Sequence, residues 1–361
     1  MALELNLIYN MDCREGLKLL EDNSIDSIVT DPPYELGFMG KSWDKTGIAY
    51  NVELWHECLR VLKPGGHLLA FGGTRTYHRM ACAIEDAGFE IRDCIQWLYG
   101  TGFPKSHNIS KAIDKKLGAE REVVGYTKGR SSPIHGGGQS VGKDDPVTVS
   151  ATPESQEWDG WGTCLKPANE PIVLARKPIS EKTIAENVMK WGTGGLNIDG
   201  CRLNTLPRKT GTKPTSDGPT GTGNTLVGSS KNRQAEYDML NKGRFPANVI
   251  LDEEAGKLLD EQKGGASRFF YCAKASKKER GEGNNHPTVK PLSLIKYLVT
   301  LVTPPDGVCL DPFEGSGTHA LACINLGFNF IGFELNKDYY NIAIARINHA
   351  KQHTRQISLI E

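Results

Sequence analysis

The pattern of apolar and polar positions predicts alternating strands and helices from the start of the chain. Leu5 to Asn10 alternates like a short strand, Arg14 to Leu20 has an apolar helical face, and Ser24 to Thr30 has the character of a buried strand. This strand–helix–strand order is a βαβ unit with parallel strands. An aspartate follows each strand, Asp12 and Asp31, so we expect two carboxylates at the carboxyl edge of neighbouring strands.

The same rhythm continues on both sides of a long middle region. The predicted helices are 50–62, 76–87, 109–117, 292–302, 320–326 and 338–349, and the predicted strands are 67–72, 89–98, 170–177, 308–310 and 329–333. Strands that alternate with helices of this length predict a parallel sheet and the α/β class.

Two segments of the middle region, Tyr126–Pro153 and Leu206–Asn232, are rich in Gly, Ser, Thr and Pro. They hold too little apolar surface to offset the entropy of ordering, so we expect them to be mobile. Residues 103–285 contain 28 Lys and Arg against 22 Asp and Glu, whereas the flanks together contain 15 against 21. This asymmetry mildly favours contact between the middle region and a polyanion.

Three tryptophans of the middle region, Trp158, Trp161 and Trp191, stand near basic residues. Such a combination suits stacking on nucleic-acid bases, and it equally suits a small core with a basic rim. The 361-residue chain is 38% hydrophobic. It shows neither a membrane-length apolar run nor a secretion signal, which predicts a cytoplasmic protein. Its nine scattered cysteines lack metal-ligand spacing, so we expect no metal.

The stretch Asp31-Pro32-Pro33-Tyr34 follows the predicted buried strand. A carboxylate there can accept hydrogen bonds from an amine, the prolines stiffen the turn, and the tyrosine offers a face for stacking. These properties suit a pocket for a planar amine. The same residues could also form an ordinary turn with Tyr34 packed in the core.

A second motif, Asp311-Pro312-Phe313-Glu314-Gly315-Ser316-Gly317-Thr318, lies between a predicted strand and a predicted helix, and Glu334 ends the next strand. Glycines allow a ligand to approach the backbone, and an acid about twenty residues later can accept from ribose hydroxyls. A phosphate-binding lysine and a third glycine are missing from the motif. This favours a cofactor that has a ribose and no phosphates, such as S-adenosylmethionine.

With these motifs, and with His286-Pro287-Thr288-Val289-Lys290-Pro291 before the glycine motif, the chain resembles the amino-directed DNA methyltransferases that use S-adenosylmethionine. The order of catalytic motif first and cofactor loop last is typical of their beta group. The resemblance implies a circularly permuted Rossmann-like methyltransferase sheet with a large inserted target-recognition region. It assigns residues 1–102 to the catalytic half, 103–264 to the insertion and 265–361 to the cofactor-binding half.

The resemblance also implies roles for the motif residues. Asp31 and Pro32 would accept the amine hydrogens of a flipped base and Tyr34 would stack on it, with Pro33 completing the catalytic motif. Glu334 would hold the cofactor's ribose and Asp12 its adenine amine. The remaining cofactor-binding positions would be Cys13, Thr288, Lys290, Asp311, Phe313, Gly315, Ser316, Gly317 and Thr318. His319 receives no role, and we expect it to be a surface or packing residue.

The activity implied is methyl transfer to the N6 amine of adenine in double-stranded DNA, because aspartate at the first motif position is typical of adenine enzymes. N4-cytosine methylation is the alternative, followed by an RNA or protein-glutamine methyltransferase and by a non-catalytic DNA-binding subunit. The implied setting is the nucleoid, with no membrane partner. A homodimer and a restriction endonuclease partner stay open.

Overall fold

The computed structural model describes residues 3–36, 42–100, 102, 106–127, 145–203, 243–273 and 289–357. The strands are β1 Leu7–Tyr9, β2 Ile25–Thr30, β3 Leu62–Phe71, β4 Glu90–Leu98, β5 Val123–Thr127, β6 Asp145–Thr148, β7 Asn169–Arg176, β8 Val249–Asp252, β9 Tyr271–Ala273, β10 Val308–Asp311 and β11 Asn329–Phe333. The α-helices are α1 Cys13–Lys18, α2 Val52–Val61, α3 Tyr77–Asp86, α4 Ile109–Leu117, α5 Pro153–Glu157, α6 Ile184–Trp191, α7 Glu253–Gln262, α8 Leu292–Val302, α9 Thr318–Leu326 and α10 Lys337–Ile357.

Nine of these strands form one twisted sheet in the order β1-β11-β10-β2-β3-β7-β4-β8-β9. Strand β7 runs antiparallel to both of its neighbours, and every other pairing in this sheet is parallel. The expected α/β class and mostly parallel sheet are confirmed. The expectation that the strands before Asp12 and Asp31 are neighbours is wrong, because β11 and β10 lie between β1 and β2.

The sheet separates two apolar cores. Ile28 belongs to one core, with residues of α1, α2 and α3, and its neighbour Val29 belongs to the other, with residues of α8, α9 and α10. Successive residues of a strand face opposite sides, so one buried strand supplies both cores. This layering leaves the carboxyl ends of the parallel strands as the edge where loops can form a site.

The chain divides into two compact units, of which one comprises residues 1–99 and 169–361 and the other residues 100–168. The smaller unit has its own two-stranded sheet, β5 with β6, which contains residues 126–127 and 145–148 of the predicted mobile segment Tyr126–Pro153. Its residues 128–144, and all of Leu206–Asn232, lie outside the described residues. Strands β7 and β8 of the predicted insertion belong to the main sheet, so the compact units divide residues 103–264 differently from the predicted boundaries.

Candidate active site

The carboxyl edge of the parallel strands brings the predicted carboxylates into one row. Asp12 follows β1, Glu334 follows β11, Asp311 ends β10 and Asp31 follows β2, in the order of these strands in the sheet. Neighbouring strands are about 4.8 Å apart, so β11, which leads to Glu334, and β2, which leads to Asp31, are separated by roughly 10 Å. One elongated ligand can therefore span from Glu334 to Asp31.

Asp311 connects the two predicted motifs. Its Oδ1 accepts hydrogen bonds from Thr30 Oγ1 at 2.6 Å and from the backbone N–H of Phe313 at 2.9 Å. Burial and the nearby charge of Glu314 raise the pKa of Asp311 to about 8. The carboxyl group thus ties the strand before Asp31 to the start of the glycine loop.

The glycine loop between β10 and α9 depends on two left-handed residues, Gly315 with φ 58° and Gly317 with φ 83°. A Cβ on Gly317 would lie 2.9 Å from the Cβ of Ala343, so this glycine permits close packing of the loop on α10. The Ser316 and Thr318 hydroxyls lie 3.0 and 3.2 Å from the Arg346 guanidinium, which also comes from α10. Both residues were predicted to bind the cofactor, and in the structure they anchor the loop.

Glu334 is held in place by the loop that it faces. Its Oε2 accepts from the backbone N–H of Gly315 at 2.8 Å, and its Oε1 accepts from that of Asn336 at 2.7 Å. Burial raises the pKa of Glu334 to about 7, although these two N–H groups oppose the shift. Each oxygen keeps a second lone pair for a hydroxyl donor.

Asp12 lies beside Glu334, because β1 pairs with β11 and the N–H of Glu334 donates to the carbonyl of Tyr9. Its carboxylate caps α1 and contacts the Arg14 guanidinium, and this hydrogen bond holds the pKa of Asp12 below its usual value. Cys13, the first residue of α1, is buried, and burial raises the pKa of its thiol to about 12. The structure therefore places Cys13 in the core.

Asp31 and Tyr34 share a network with two residues from distant parts of the chain. Lys290 Nζ donates to Asp31 Oδ2 at 2.6 Å and lies 3.3 Å from Glu170 Oε2, which also accepts from the Tyr34 hydroxyl at 2.7 Å. The resemblance assigns Lys290 to the cofactor pocket, and in the structure its ammonium group lies against Asp31. Asp31 Oδ1 is buried and has no hydrogen-bond partner within the described ranges.

The turn after Tyr34 is held by hydrogen bonds from two sides. Thr76 Oγ1 donates to the Tyr34 carbonyl at 2.7 Å. The buried Asp44 carboxylate accepts from the backbone N–H groups of Glu35 at 2.9 Å and Leu36 at 3.2 Å, while Glu35 adopts a left-handed φ of 56°. The orientation of Tyr34 is thus set by tertiary contacts.

His319 is buried next to the glycine loop, so the packing alternative for this residue agrees with its position. Its Nδ1 lies 3.0 Å from Glu314 Oε2 and its Nε2 lies 3.5 Å from Cys323 Sγ. Burial alone would lower the pKa of His319, but Cys309 and Glu314 raise it well above its usual value. The imidazole therefore links the loop to the core beneath it.

This edge fits S-adenosylmethionine on the chemistry of its donors and acceptors. Glu334 offers acceptors for two ribose hydroxyls, and the glycine loop allows close approach to its backbone between Glu334 and Asp31. At the other end of the row lies Asp31 Oδ1, which has no donor in the part of the chain that the structure describes and which an amine substrate can supply with one.

The comparisons with known proteins agree with this chemistry. A family model described as DNA methylase matches residues 25–345. The chain belongs to this family. It is similar to the Type II methyltransferase M.HinfI of Haemophilus influenzae, with 36% identity over 99% of this chain and 72% of that protein. It is also similar to the Type II methyltransferase M.HindIII of Haemophilus influenzae, with 24% identity over 96% of each chain.

Two further proteins are similar to this chain, one over a smaller part of the sequence and one with a low TM-score. The DNA adenine methyltransferase YhdJ of Escherichia coli is 28% identical over 38% of each chain. The crystal structure of an M1.HpyAVI–SAM complex is 20% identical, covers 94% of this chain and 98% of its own, and has a TM-score of 0.44.

The expectation of an amino-directed DNA methyltransferase that uses S-adenosylmethionine is confirmed by the family match. Thr288, one of the predicted cofactor residues, lies outside the described residues. Among the residues described, no helix is both long and apolar enough to cross a membrane.

Three residues of the site, Glu170, Asp44 and Glu314, received no role in the sequence interpretation. Glu170 is an acid at the start of an apolar strand, directly before Pro171, and Asp31 is an acid at the end of an apolar strand, directly before Pro32. That signal could have identified Glu170. Asp44 and Glu314 act through backbone N–H groups and a buried histidine, contacts that no local pattern indicates.

Proposed function

We propose that this protein transfers a methyl group from S-adenosylmethionine to the N6 amine of an adenine in double-stranded DNA. The observation that carries the proposal is the buried Asp31 Oδ1, which has no hydrogen-bond partner among the described residues and lies next to Tyr34, about two strands from Glu334. A planar amine held there completes the hydrogen bonding of Asp31 and faces the end of a cofactor anchored at Glu334.

The residues of the catalytic motif have separate tasks in this proposal. The target base leaves the duplex and stacks on the Tyr34 ring, since its amine is inaccessible inside the helix. Asp31 Oδ1 and the Pro32 carbonyl accept the two amine hydrogens, which turns the nitrogen lone pair out of conjugation, and Pro33 stiffens the turn. The bound cofactor supplies a methyl group on a sulfonium. The amine nitrogen bonds to this methyl group while the bond between methyl and sulfur breaks, which leaves a neutral thioether, and the methylated amine then releases one proton to solvent. Positioning and charge suffice for such a direct displacement, without a covalent nucleophile.

The cofactor residues are proposed from their places along the edge. Glu334 accepts from the ribose hydroxyls, and Asp12, on the adjacent strand, accepts from the adenine amine. The methionine end lies along the glycine loop, at Phe313, Gly315 and Gly317. Thr288 stays a proposal from the sequence motif alone.

Adenine is proposed over cytosine on two grounds. Aspartate begins the catalytic motif, which in the resembling family is typical of N6-adenine enzymes, and YhdJ, an adenine methyltransferase, is similar to part of this chain. N4-cytosine transfer uses the same acceptors and is the second candidate.

Target recognition is proposed for the inserted region, including the unit of residues 100–168. Its Trp158 and Trp161 are 40% and 59% exposed and pack edge to face, with ring centroids 5.2 Å apart. Exposed aromatic rings of this kind can contact bases or sugars. The protein would thus act on DNA at the nucleoid.

The proposed function predicts transfer of a labelled methyl group to duplex DNA and recovery of the label as N6-methyl-2′-deoxyadenosine after digestion to nucleosides. The measurement is nucleoside chromatography with parallel reactions on RNA and on protein extract. Label in N4-methyl-2′-deoxycytidine would show that the target base is cytosine and not adenine. Label in RNA or protein alone, or no transfer at all, would contradict DNA methylation.

Cofactor affinity should depend on pH through Glu334. Its pKa is raised to about 7, and ribose hydroxyls favour the ionised acceptor, so affinity is full above this pKa and falls as pH drops below it. We expect the Kd of S-adenosylmethionine, measured by calorimetry, to be at least about tenfold weaker at pH 5.5 than at pH 8.

The variant Glu334→Gln should bind more weakly and lose most of this pH dependence. Asp311, whose pKa is about 8, titrates nearby, so Asp311→Asn is the matched comparison and should retain the loss of affinity at low pH. An unchanged pH profile in Glu334→Gln would remove Glu334 from the cofactor site.

A further inference from the structure

Glu170 connects the two residues of the catalytic motif that are proposed to contact the base. Its Oε2 accepts a hydrogen bond from the Tyr34 hydroxyl at 2.7 Å and lies 3.3 Å from Lys290 Nζ, which in turn donates to Asp31 Oδ2 at 2.6 Å. One carboxylate oxygen thus touches Tyr34 directly and reaches Asp31 through a single lysine.

The antiparallel direction of β7 explains why Glu170 is in this position. Strand β7 lies between β3 and β4, and Glu170, its second residue, pairs with Trp97 near the end of β4. The N–H of Gly72, just after β3, donates to the carbonyl of Pro171 at 2.9 Å. Because β7 runs in the opposite direction, its beginning meets the carboxyl ends of the parallel strands.

The ammonium group of Lys290 is buried between two carboxylates. Its side chain is 8% exposed, and its Nζ lies 5.2 Å from the centroid of the Tyr34 ring and 4.9 Å from that of Phe71. Burial alone would lower the pKa of Lys290, but the charges of Asp31 and Glu170 raise it above its usual value. Both carboxylates therefore keep the lysine charged and in contact with Asp31.

The contact with Lys290 decides which oxygen of Asp31 can receive a substrate. Oδ2 is occupied by the ammonium group, whereas Oδ1 is buried without a partner among the residues that the structure describes. If Lys290 turned away, the carboxylate could rotate and present either oxygen. The network therefore restricts Asp31 to one orientation.

We propose that Glu170 is a positioning residue for methyl transfer, which orients Asp31 through Lys290 and the Tyr34 ring through its hydroxyl. This inference rests on the proposed function, because it concerns the same base-binding site. Removing the charge of Glu170 loosens the hold on Lys290, and the Asp31 carboxylate can then present either oxygen.

The test compares two substitutions that separate charge from shape. Glu170→Gln keeps the size of the side chain and can still accept from Tyr34, but it loses the charge that holds Lys290. Glu170→Asp keeps the charge and shortens the side chain. We expect Glu170→Gln to lower kcat about 10- to 100-fold, with the KM for DNA and the Kd of S-adenosylmethionine within about threefold of wild type. Glu170→Asp should retain more activity than Glu170→Gln.

The reverse order, with Glu170→Gln near wild type and Glu170→Asp impaired, would show that only packing matters and would overturn the proposal. The matched control is Glu90→Gln, because Glu90 pairs with Arg176 at the opposite end of β7 at 2.6 Å. It should leave kcat unchanged. Its loss of activity together with that of Glu170→Gln would assign both effects to β7 stability.

A double-mutant cycle with Tyr34→Phe provides a second, independent readout. Phenylalanine keeps the ring for stacking and removes the hydroxyl that donates to Glu170. We expect the combined loss in kcat to be smaller than the product of the single losses, because both changes break one network. A combined loss in kcat equal to the product of the single losses would show that Glu170 does not act through the Tyr34 hydroxyl.

The wild-type reaction separates this proposal from the proposed function. Wild-type protein that fails to methylate DNA would contradict both. Wild-type protein that methylates DNA, together with a Glu170→Gln variant of unchanged kcat, would overturn only the positioning role.

Discussion

Replacing Asp31 with asparagine is expected to lower kcat for DNA methylation by at least about 10²- to 10³-fold. Lys290 holds Oδ2, so the amide oxygen of asparagine would turn toward the ammonium group and its NH₂ would take the place of Oδ1. The N–H donors of asparagine would then face the amine hydrogens of the base, where the carboxylate offers an acceptor. The substitution preserves volume, and labelled-methyl transfer at saturating substrate measures its effect.

Cofactor binding should survive this change, because Glu334, which holds the cofactor's ribose in the proposal, follows β11, two strands from β2. We expect the Kd of S-adenosylmethionine in Asp31→Asn to remain within about threefold of wild type by calorimetry. The matched control is Asp86→Asn at the exposed end of α3, which should keep full activity. Turnover of Asp31→Asn close to that of the control would exclude Asp31 as the amine acceptor.

Replacing Gly315 with valine should abolish detectable cofactor binding. Gly315 has a φ of 58°, which a β-branched residue rarely adopts, and its N–H holds the Glu334 carboxylate at 2.8 Å. A valine would displace that N–H and project side-chain atoms into the space along the loop. We expect the Kd measured by calorimetry to weaken by at least about 100-fold, equivalent to about 2.7 kcal/mol.

The variant Gly327→Val is the control for backbone strain without an effect on the cofactor site. Gly327 ends α9 with a φ of 77°, and a Cβ there would meet nothing within 4 Å, so the variant pays a similar backbone cost away from the cofactor. It should melt at a lower temperature and still bind S-adenosylmethionine. Equal loss of binding in the two variants, matched by equal loss of stability, would assign the Gly315 effect to folding.

Local patterns predicted most elements of the main sheet unit. Helix α8 and strand β11 have the predicted bounds, because each has a clear period between turn residues. Strand β3 begins at Leu62, before the predicted His67, since Lys63 to Gly66 continues the strand through a left-handed Gly65. A lysine, a proline and two glycines indicate a turn locally, and in the structure these four residues form an irregularity in the strand pairing, since Leu62 pairs with Ile25 of β2 and the next pair joins His67 to Ser27.

The neighbours in the sheet could not be derived from the sequence. Tyr9 and Asp31 are close in the chain, yet β11 and β10 from its far end insert between β1 and β2. Strands β8 and β9 are short, and their few apolar residues do not distinguish them in the sequence from loops. Order in a sheet depends on non-local burial, which a pass along the chain does not measure.

The candidate site shows the same division. The motif residues Asp31, Gly315 and Glu334 were found because their chemistry is local to a strand end. Their partners were not: Tyr34 and Glu170 are 136 positions apart, and Asp31 and Lys290 are 259 positions apart. A hydrogen bond over such a separation exists only once the sheet has formed.

The central claim, amine methylation of DNA at Asp31, is tested most directly by sequencing that reports modified bases in DNA from cells that express the protein. Cells with the wild-type protein should carry N6-methyladenine in one recurring sequence context, and cells with Asp31→Asn at equal protein level should lack it. Modification that is absent from wild-type cells, or that persists unchanged with Asp31→Asn, would contradict the claim.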